Sequence, residues 1–226
     1  MQEVVVIDYG MGNLHSVQKA LSFLGAQPKL SQDAEKIQTA QKLILPGVGA
    51  FGDAMAELSR RGLVQAIQEA VEKGTPLMGI CLGMQLLFES STEGGWQQGL
   101  GLIPGEITKF AIREKVPHMG WNSVENRDEE MFAGLPKEFS VYFVHSYCAQ
   151  QIEKPYVSGI TEYEIPFACA VHQDNIYGCQ FHPEKSGDNG MQICLLYTSL
   201  GPANQDIRLD AQRTKLAYAM LRRFCF

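Results

Sequence analysis

No stretch of this chain approaches the ~18 consecutive apolar residues that cross a bilayer as a helix. Nothing at its start reads as a secretory leader, because Met1 runs straight into Val4-Val5-Val6-Ile7, a strand-length segment closed by Asp8. Cysteine is sparse: six residues, at 81, 148, 169, 179, 194 and 225, form no Cys-x-x-Cys pair and no regular framework. A disulfide-stapled fold is thereby excluded, and a reducing cytoplasm is the expected compartment. His118, His145, His172, His182 and Cys81 do not fall at the ligand spacing of a structural zinc site, so no metal is expected. Positive charge is short as well, and a net charge of −6 argues against nucleic acid as the main partner. Gly47-Val48-Gly49 lacks the Walker spacing, and no other glycine-rich loop could hold a phosphorylated ligand. Repeats, low-complexity segments and linkers are absent too.

What remains is a chain of 226 residues, 45% of them hydrophobic, enough for a compact α/β core. Its most informative segment is Gly79-Ile80-Cys81-Leu82-Gly83-Met84-Gln85. A short apolar strand, Pro76 to Ile80, ends where a helix begins, and Gly79 and Gly83 permit a sharp bend between them. At such a bend a nucleophile is exposed, and free backbone N–H groups at a helix start favour thiolate over thiol. A buried structural cysteine is the alternative reading of Cys81.

Far downstream stands Gln180-Phe181-His182-Pro183-Glu184. Proline biases His182 towards extended backbone, in which residues two apart share a face, so His182 and Glu184 are expected to point together. A carboxylate beside an imidazole fixes its tautomer and orientation, the arrangement a general base requires. Cysteine, histidine and glutamate would complete a triad, although each charged residue alone could be a solvated or core side chain.

The segments between these motifs alternate. Strands are expected at residues 4–8, 28–31, 42–45 and 76–80; helices at 13–25, where Asn13 acts as cap, and at 51–60 and 63–73. After the bend at Cys81 a helix is expected to run to about residue 91. The alternation implies a three-layer α/β fold, a mostly parallel sheet with helices on both faces and catalytic groups at the carboxyl ends of strands. From about Gly105 the character changes to β-rich segments at 106–110, 122–126, 140–148, 156–161, 168–172 and 176–180, an antiparallel extension. Gln173-Asp174-Asn175 reads as a hairpin turn that delivers His182 at a strand's end.

The cysteine bend, the Phe-His-Pro-Glu run and Pro46-Gly47-Val48-Gly49 together resemble the class I (triad) glutamine amidotransferases. Ile7 to Asn13, Pro117 to Asn122, Val144 to Tyr147 and Glu184 to Asp188 are similar, more narrowly, to the glutaminase subunits of imidazole glycerol phosphate synthases. The resemblance extends to about Ile193. It implies Cys81, His182 and Glu184 as catalytic groups, with no cofactor. It also implies an oxyanion and substrate site at Gly47, Val48, Gly49, Leu82, Gln85, Glu93, Ser146 and Tyr147. Gln85 stands one helical turn beyond Cys81, on its face, which suits substrate contact independently. The substrate implied is glutamine, and the partner is a (β/α)8-barrel cyclase subunit forming a heterodimer. Ammonia lost to water becomes ammonium, a poor nucleophile, so such a glutaminase must deliver it to an acceptor site through a dry passage. Asn13, Trp121, Tyr142 and Lys185 match interface or gate positions of the family; Trp121 could otherwise be a core aromatic. The glutaminase of another synthase, a cysteine hydrolase acting on other amides, and an inactive binding module remain alternatives on the residues alone.

Residues 1–200 thus read as one amidotransferase domain. Residues 201–226 depart from the family pattern, with apolar positions at helical spacing and five Lys or Arg against two Asp from Asp206 onwards. They are expected to form an atypical amphipathic helical tail.

Overall fold

The computed structural model describes residues 3–200. The tail at 201–226, with its expected helix and domain boundary, lies outside the described residues. Strand β1 (Glu3–Ile7) leads to helix α1 (Leu14–Phe23), β2 (Gln27–Ser31), α2 (Ala34–Gln38), β3 (Leu43–Gly47), α3 (Phe51–Arg60) and α4 (Leu63–Glu72). Then come β4 (Leu77–Cys81), α5 (Leu82–Leu86), β5 (Phe88–Ser91), β6 (Gln97–Gln98), β7 (Ile103–Lys109), β8 (His118–Asn126), β9 (Glu138–His145) and β10 (Tyr147–Ala149). The hairpin of β11 (Val157–Tyr163) and β12 (Ile165–Gln173) precedes β13 (Ile176–Cys179), and α6 (Gly187–Ser199) closes the described chain.

All the strands among the described residues belong to one mixed sheet. Its parallel half has the order β2-β1-β3-β4-β13; beyond β13 the pairing turns antiparallel through β12, β10 and β7, while β11, β8 and β9 branch from β12. Alternation in β1 explains the layers. Val5 and Ile7 pack with Phe51, Leu58, Leu63 and Ile67 of α3 and α4, whereas Val4 and Val6 pack with Val17 and Leu21 of α1 and Ile193 and Tyr197 of α6. Phe51, Ala54 and Leu58 recur at helical spacing and are wholly buried, each large side chain contributing roughly 1.5–3 kcal/mol of burial energy. This is the expected three-layer arrangement with its antiparallel extension.

Three local readings are corrected. The helix after Cys81 ends at Leu86, and Phe88–Ser91 is a strand paired with β7 and β6. The run Leu86-Leu87-Phe88 is buried throughout and so carries no period that separates helix from strand, and the ladder to β7 decides. Asn13 stands at the cap position of α1, yet its side chain makes no capping bond. The expected strand 140–148 breaks at Ser146 into β9 and β10, because β9 pairs with β8 and β10 with β7 and β12. Helix α2, whose Asp33 cap accepts from Glu35 N–H, escaped the periodicity because it has only five residues.

Candidate active site

Strands β3 and β4 run side by side with Gly47 opposite Cys81, so the loop at Val48-Gly49 and the cysteine leave the sheet at one edge. Cys81 has φ +55° and ψ −111°, a conformation non-glycine residues avoid at a cost of roughly 1–3 kcal/mol. Absent side chains make it possible. A Cβ on Gly83 would overlap the Leu45 carbonyl of β3, and one on Gly79 would meet Gly83 O at 2.6 Å. Helix α5 therefore rests backbone to backbone on the strands beneath it, and that packing holds the strained bend. Cys81 is 7% exposed; its Sγ lies 3.8 Å from the Val144 carbonyl, to which it can donate, and 3.8 Å from Gln180 Nε2, from which it can accept.

His182 follows β13 by three residues. Its N–H donates to Tyr142 O at 3.0 Å, and its own carbonyl accepts from Ser186 Oγ at 2.6 Å. Ser186 Oγ in turn accepts from Tyr142 N–H at 3.0 Å, so one hydroxyl clamps His182 to β9. His182 Nδ1 lies 2.9 Å from Glu184 Oε1. The two side chains meet as expected, but by a different route: Pro183–Lys185 is a 3-10 turn, not a continuing extended segment. Since the carboxylate only accepts, Nδ1 is the donor, leaving Nε2 to gain and lose the proton.

Burial disfavours the charged imidazole. The neighbouring Cys81 and the hydrogen-bonded Glu184 carboxylate outweigh burial and raise His182 to about 9. Nε2 itself is buried and forms no hydrogen bond. Glu184 is sealed behind the ring, its side chain 2% exposed and its Oε2 unpartnered, and it lines a void of about 10 Å³ together with Val17, Leu21, Ile80 and Cys194. A carboxylate so placed answers a charge on His182 with little screening from water.

Cys81 and His182 line a common cleft of about 350 Å³. Of the other expected residues, Val48, Gly49, Leu82, Gln85, Glu93, Ser146 and Tyr147 line it too. Gly47 does not: it ends β3 beneath the loop, pressed so closely that a Cβ would stand 2.6 Å from Tyr9 Oη. Glu93 Oε2 accepts from Phe51 N–H at 2.8 Å, tying the turn after β5 to the first residue of α3, where the Val48-Gly49 loop ends. Gln85 Nε2 donates to Tyr147 O and to Gln180 Oε1, both at 2.9 Å. Asn13, Trp121, Tyr142 and Lys185 stand outside the cleft. Trp121 is 59% exposed beside Met119 on the outer face of β8, with its ring edge-on to Tyr142 across the ladder; Lys185 is exposed in the turn after His182, and Asn13 is half-buried.

Four residues were missed. Pro117, Val144 and His145 line the cleft, and Gln180, fully buried, bridges Gln85 to the sulfur. Each lies in or beside a motif singled out in the sequence. A polar Gln180 closing the apolar run 176–179 was the available signal.

The comparisons with known proteins agree with one another. The family model "Glutamine amidotransferase class-I" matches residues 5–194. The chain is 51% identical over 194 residues to "Imidazole glycerol phosphate synthase subunit HisH" of Moorella thermoacetica, covering 85% of this chain and 92% of that one. It is 49% identical over 200 residues to the protein of the same name from Sulfurimonas denitrificans, covering 86% and 97%. Among solved structures, a "glutamine amidotransferase" superposes with TM-score 0.70 at 21% identity, covering 87% of this chain and 99% of that one. The "PurLQS" structure from Thermotoga maritima gives 0.69 at 19%, covering 87% and 98%. These two likenesses concern the fold.

Proposed function

The chain belongs to the class I glutamine amidotransferases, and from that premise we propose that it is the glutaminase subunit of an imidazole glycerol phosphate synthase. It hydrolyses glutamine to glutamate and ammonia. Cys81 gives its thiol proton to His182 Nε2 as its Sγ attacks the side-chain carboxamide of glutamine; the tetrahedral oxyanion is held by backbone N–H groups, with Leu82 at the start of α5 and the Val48-Gly49 loop as the donors. His182 Nε2 protonates the departing nitrogen as the C–N bond breaks, leaving ammonia and a glutamyl thioester. The same atom then takes a proton from water, whose oxygen attacks the thioester and releases glutamate and the thiol. Glu184 keeps the ring oriented through both steps and stabilises its charged form.

One observation carries this reading: Cys81 and His182, distant in sequence, face one cleft while Glu184 sits 2.9 Å behind the imidazole. The test measures glutamate released from glutamine by the full chain, with a (β/α)8-barrel cyclase subunit and its ligand present and absent. Cys81→Ser is expected to lower turnover by roughly 10³-fold or more with the fold intact. Release undiminished by that change would overturn the reading.

Ammonia needs an acceptor, and the partner proposed is that cyclase, bound as a heterodimer over the surface of Asn13, Trp121, Tyr142 and Lys185. Exposed tryptophan and methionine side by side on β8 suit such an anchor. Among the described residues no helix is long and apolar enough to cross a membrane. The cytoplasm is the compartment proposed, since the five described cysteines are all free and buried.

A further inference from the structure

Strands β8 and β9 are paired with His118 opposite His145. On that inner face three side chains form a chain of bonds ending at the cleft. Asn122 Nδ2 lies 3.3 Å from His118 Nε2, His118 Nδ1 3.0 Å from His145 Nε2, and His145 Nδ1 2.9 Å from Tyr147 O. Every proton in it can be placed. Asn122 Oδ1 accepts from Ser123 N–H at 2.8 Å and its Nδ2 donates to Glu162 O at 2.9 Å, so two backbone groups fix the amide's orientation and turn its N–H to His118. At the other end a carbonyl can only accept, so His145 carries its proton on Nδ1 and offers Nε2 as acceptor. His118 then must donate from Nδ1 and accept at Nε2. The order is the same from end to end.

Both rings have to be neutral, because a second proton on either would set donor against donor. Their surroundings enforce it. His118 is stacked between Phe143 and Tyr163, at centroid distances of 4.7 and 4.1 Å, and burial lowers it to about 4. Burial also lowers His145, to about 3; the Tyr147 carbonyl opposes this, and repulsion from His118 and His182 adds to it. The relay ends where it matters. The Tyr147 carbonyl also accepts from Gln85 Nε2, so donors from α5 and from β9 converge on one oxygen, and the Ser146 carbonyl beside it accepts from Phe110 N–H at 3.1 Å. The Ser146-Tyr147 corner, one wall of the cleft, is held from three sides.

We propose that Asn122, His118 and His145 are positioning residues, a proton-ordered relay that sets the Ser146-Tyr147 wall for its substrate. The substrate's identity as glutamine rests on the glutaminase reading; the order of protons does not. Two measurements on the full chain test it. Nitrogen-15 NMR of the ring nitrogens at neutral pH is expected to find His118 and His145 both uncharged with hydrogen on Nδ1, the tautomer that free imidazole side chains disfavour. Hydrogen on Nε2, or a charged ring, at either position would overturn the relay.

Kinetics, run with the cyclase subunit present, supply the second. His118→Phe keeps the stacked ring and deletes the donor, and should raise KM for glutamine roughly 3- to 10-fold with a smaller change in kcat. His118→Gln offers one donor and one acceptor in the required order and should return KM towards the unaltered value. An unchanged KM in the Phe variant, or a Gln variant as impaired as Phe, counts against the relay. If the unaltered chain releases no glutamate, the glutaminase reading fails, and the tautomers still decide the relay.

Discussion

Cys81 and His182, the proposed nucleophile and base, are held in place by opposite means. In the parallel half the bend at Cys81 rests on backbone contact: Gly79 and Gly83 bring main chain against main chain, and the Gln180 side chain reaches only the sulfur beyond it. At the seam where β13 turns from parallel to antiparallel pairing, His182 is placed by side chains, through Glu184 and through Ser186, which clamps it to the Tyr142 peptide of β9. The first device tolerates no added atom. The second tolerates no lost partner.

The harshest way to break the contrast is Gly83→Ala. Its Cβ has nowhere to go except into the Leu45 carbonyl, and the expected loss is roughly 3 kcal/mol or more in urea unfolding. Stability within about 1 kcal/mol of the parent would mean that the backbone contact yields.

Glu184→Gln probes the other side, keeping an acceptor for Nδ1 while removing the charge. The pKa of His182 should fall from about 9 towards its ordinary ~6.5, and turnover should drop roughly 10- to 1000-fold. Because the folded pKa is raised, the pair's stabilisation is fully present below ~6.5 and disappears as pH climbs through about 9. A denaturation series across that window should slope downward in the parent and flatten in the variant. Equal slopes would assign the support of His182 elsewhere.

The mildest change sharpens the comparison. Tyr9 Oη, buried beneath Gly47, has no hydrogen-bond partner, so the parallel half carries a polar group its backbone strategy leaves unserved. Tyr9→Phe should raise stability by about 1 kcal/mol, a melting shift of roughly 2–4 °C by calorimetry. A fall would reveal an unrecognised partner.

The same division governs what could be read from the sequence. Helix 51–60 and the strands at 43–47 and 77–81 follow from apolar periodicity punctuated by glycine and proline, which is local information. The strand at 88–91 and the break at Ser146 depend on which distant segment pairs with them, and no local period records that. At the site, Cys81, His182 and Glu184 stood out because a bend and a short spacing advertise them. Gln180, Ser186 and the His118–His145 pair acquire their roles only from partners brought up by the sheet. Glu93 entered by resemblance, and its bond to Phe51 N–H joins the turn after β5 to a helix far back in the chain.

Strand β8 wears Met119 and Trp121 outside and His118 and Asn122 inside. A ribbon of alternating faces cannot slide by one residue without turning tryptophan inward and imidazole out. Whatever settles on that outer surface therefore rests on the same strand whose other side carries His118 and Asn122.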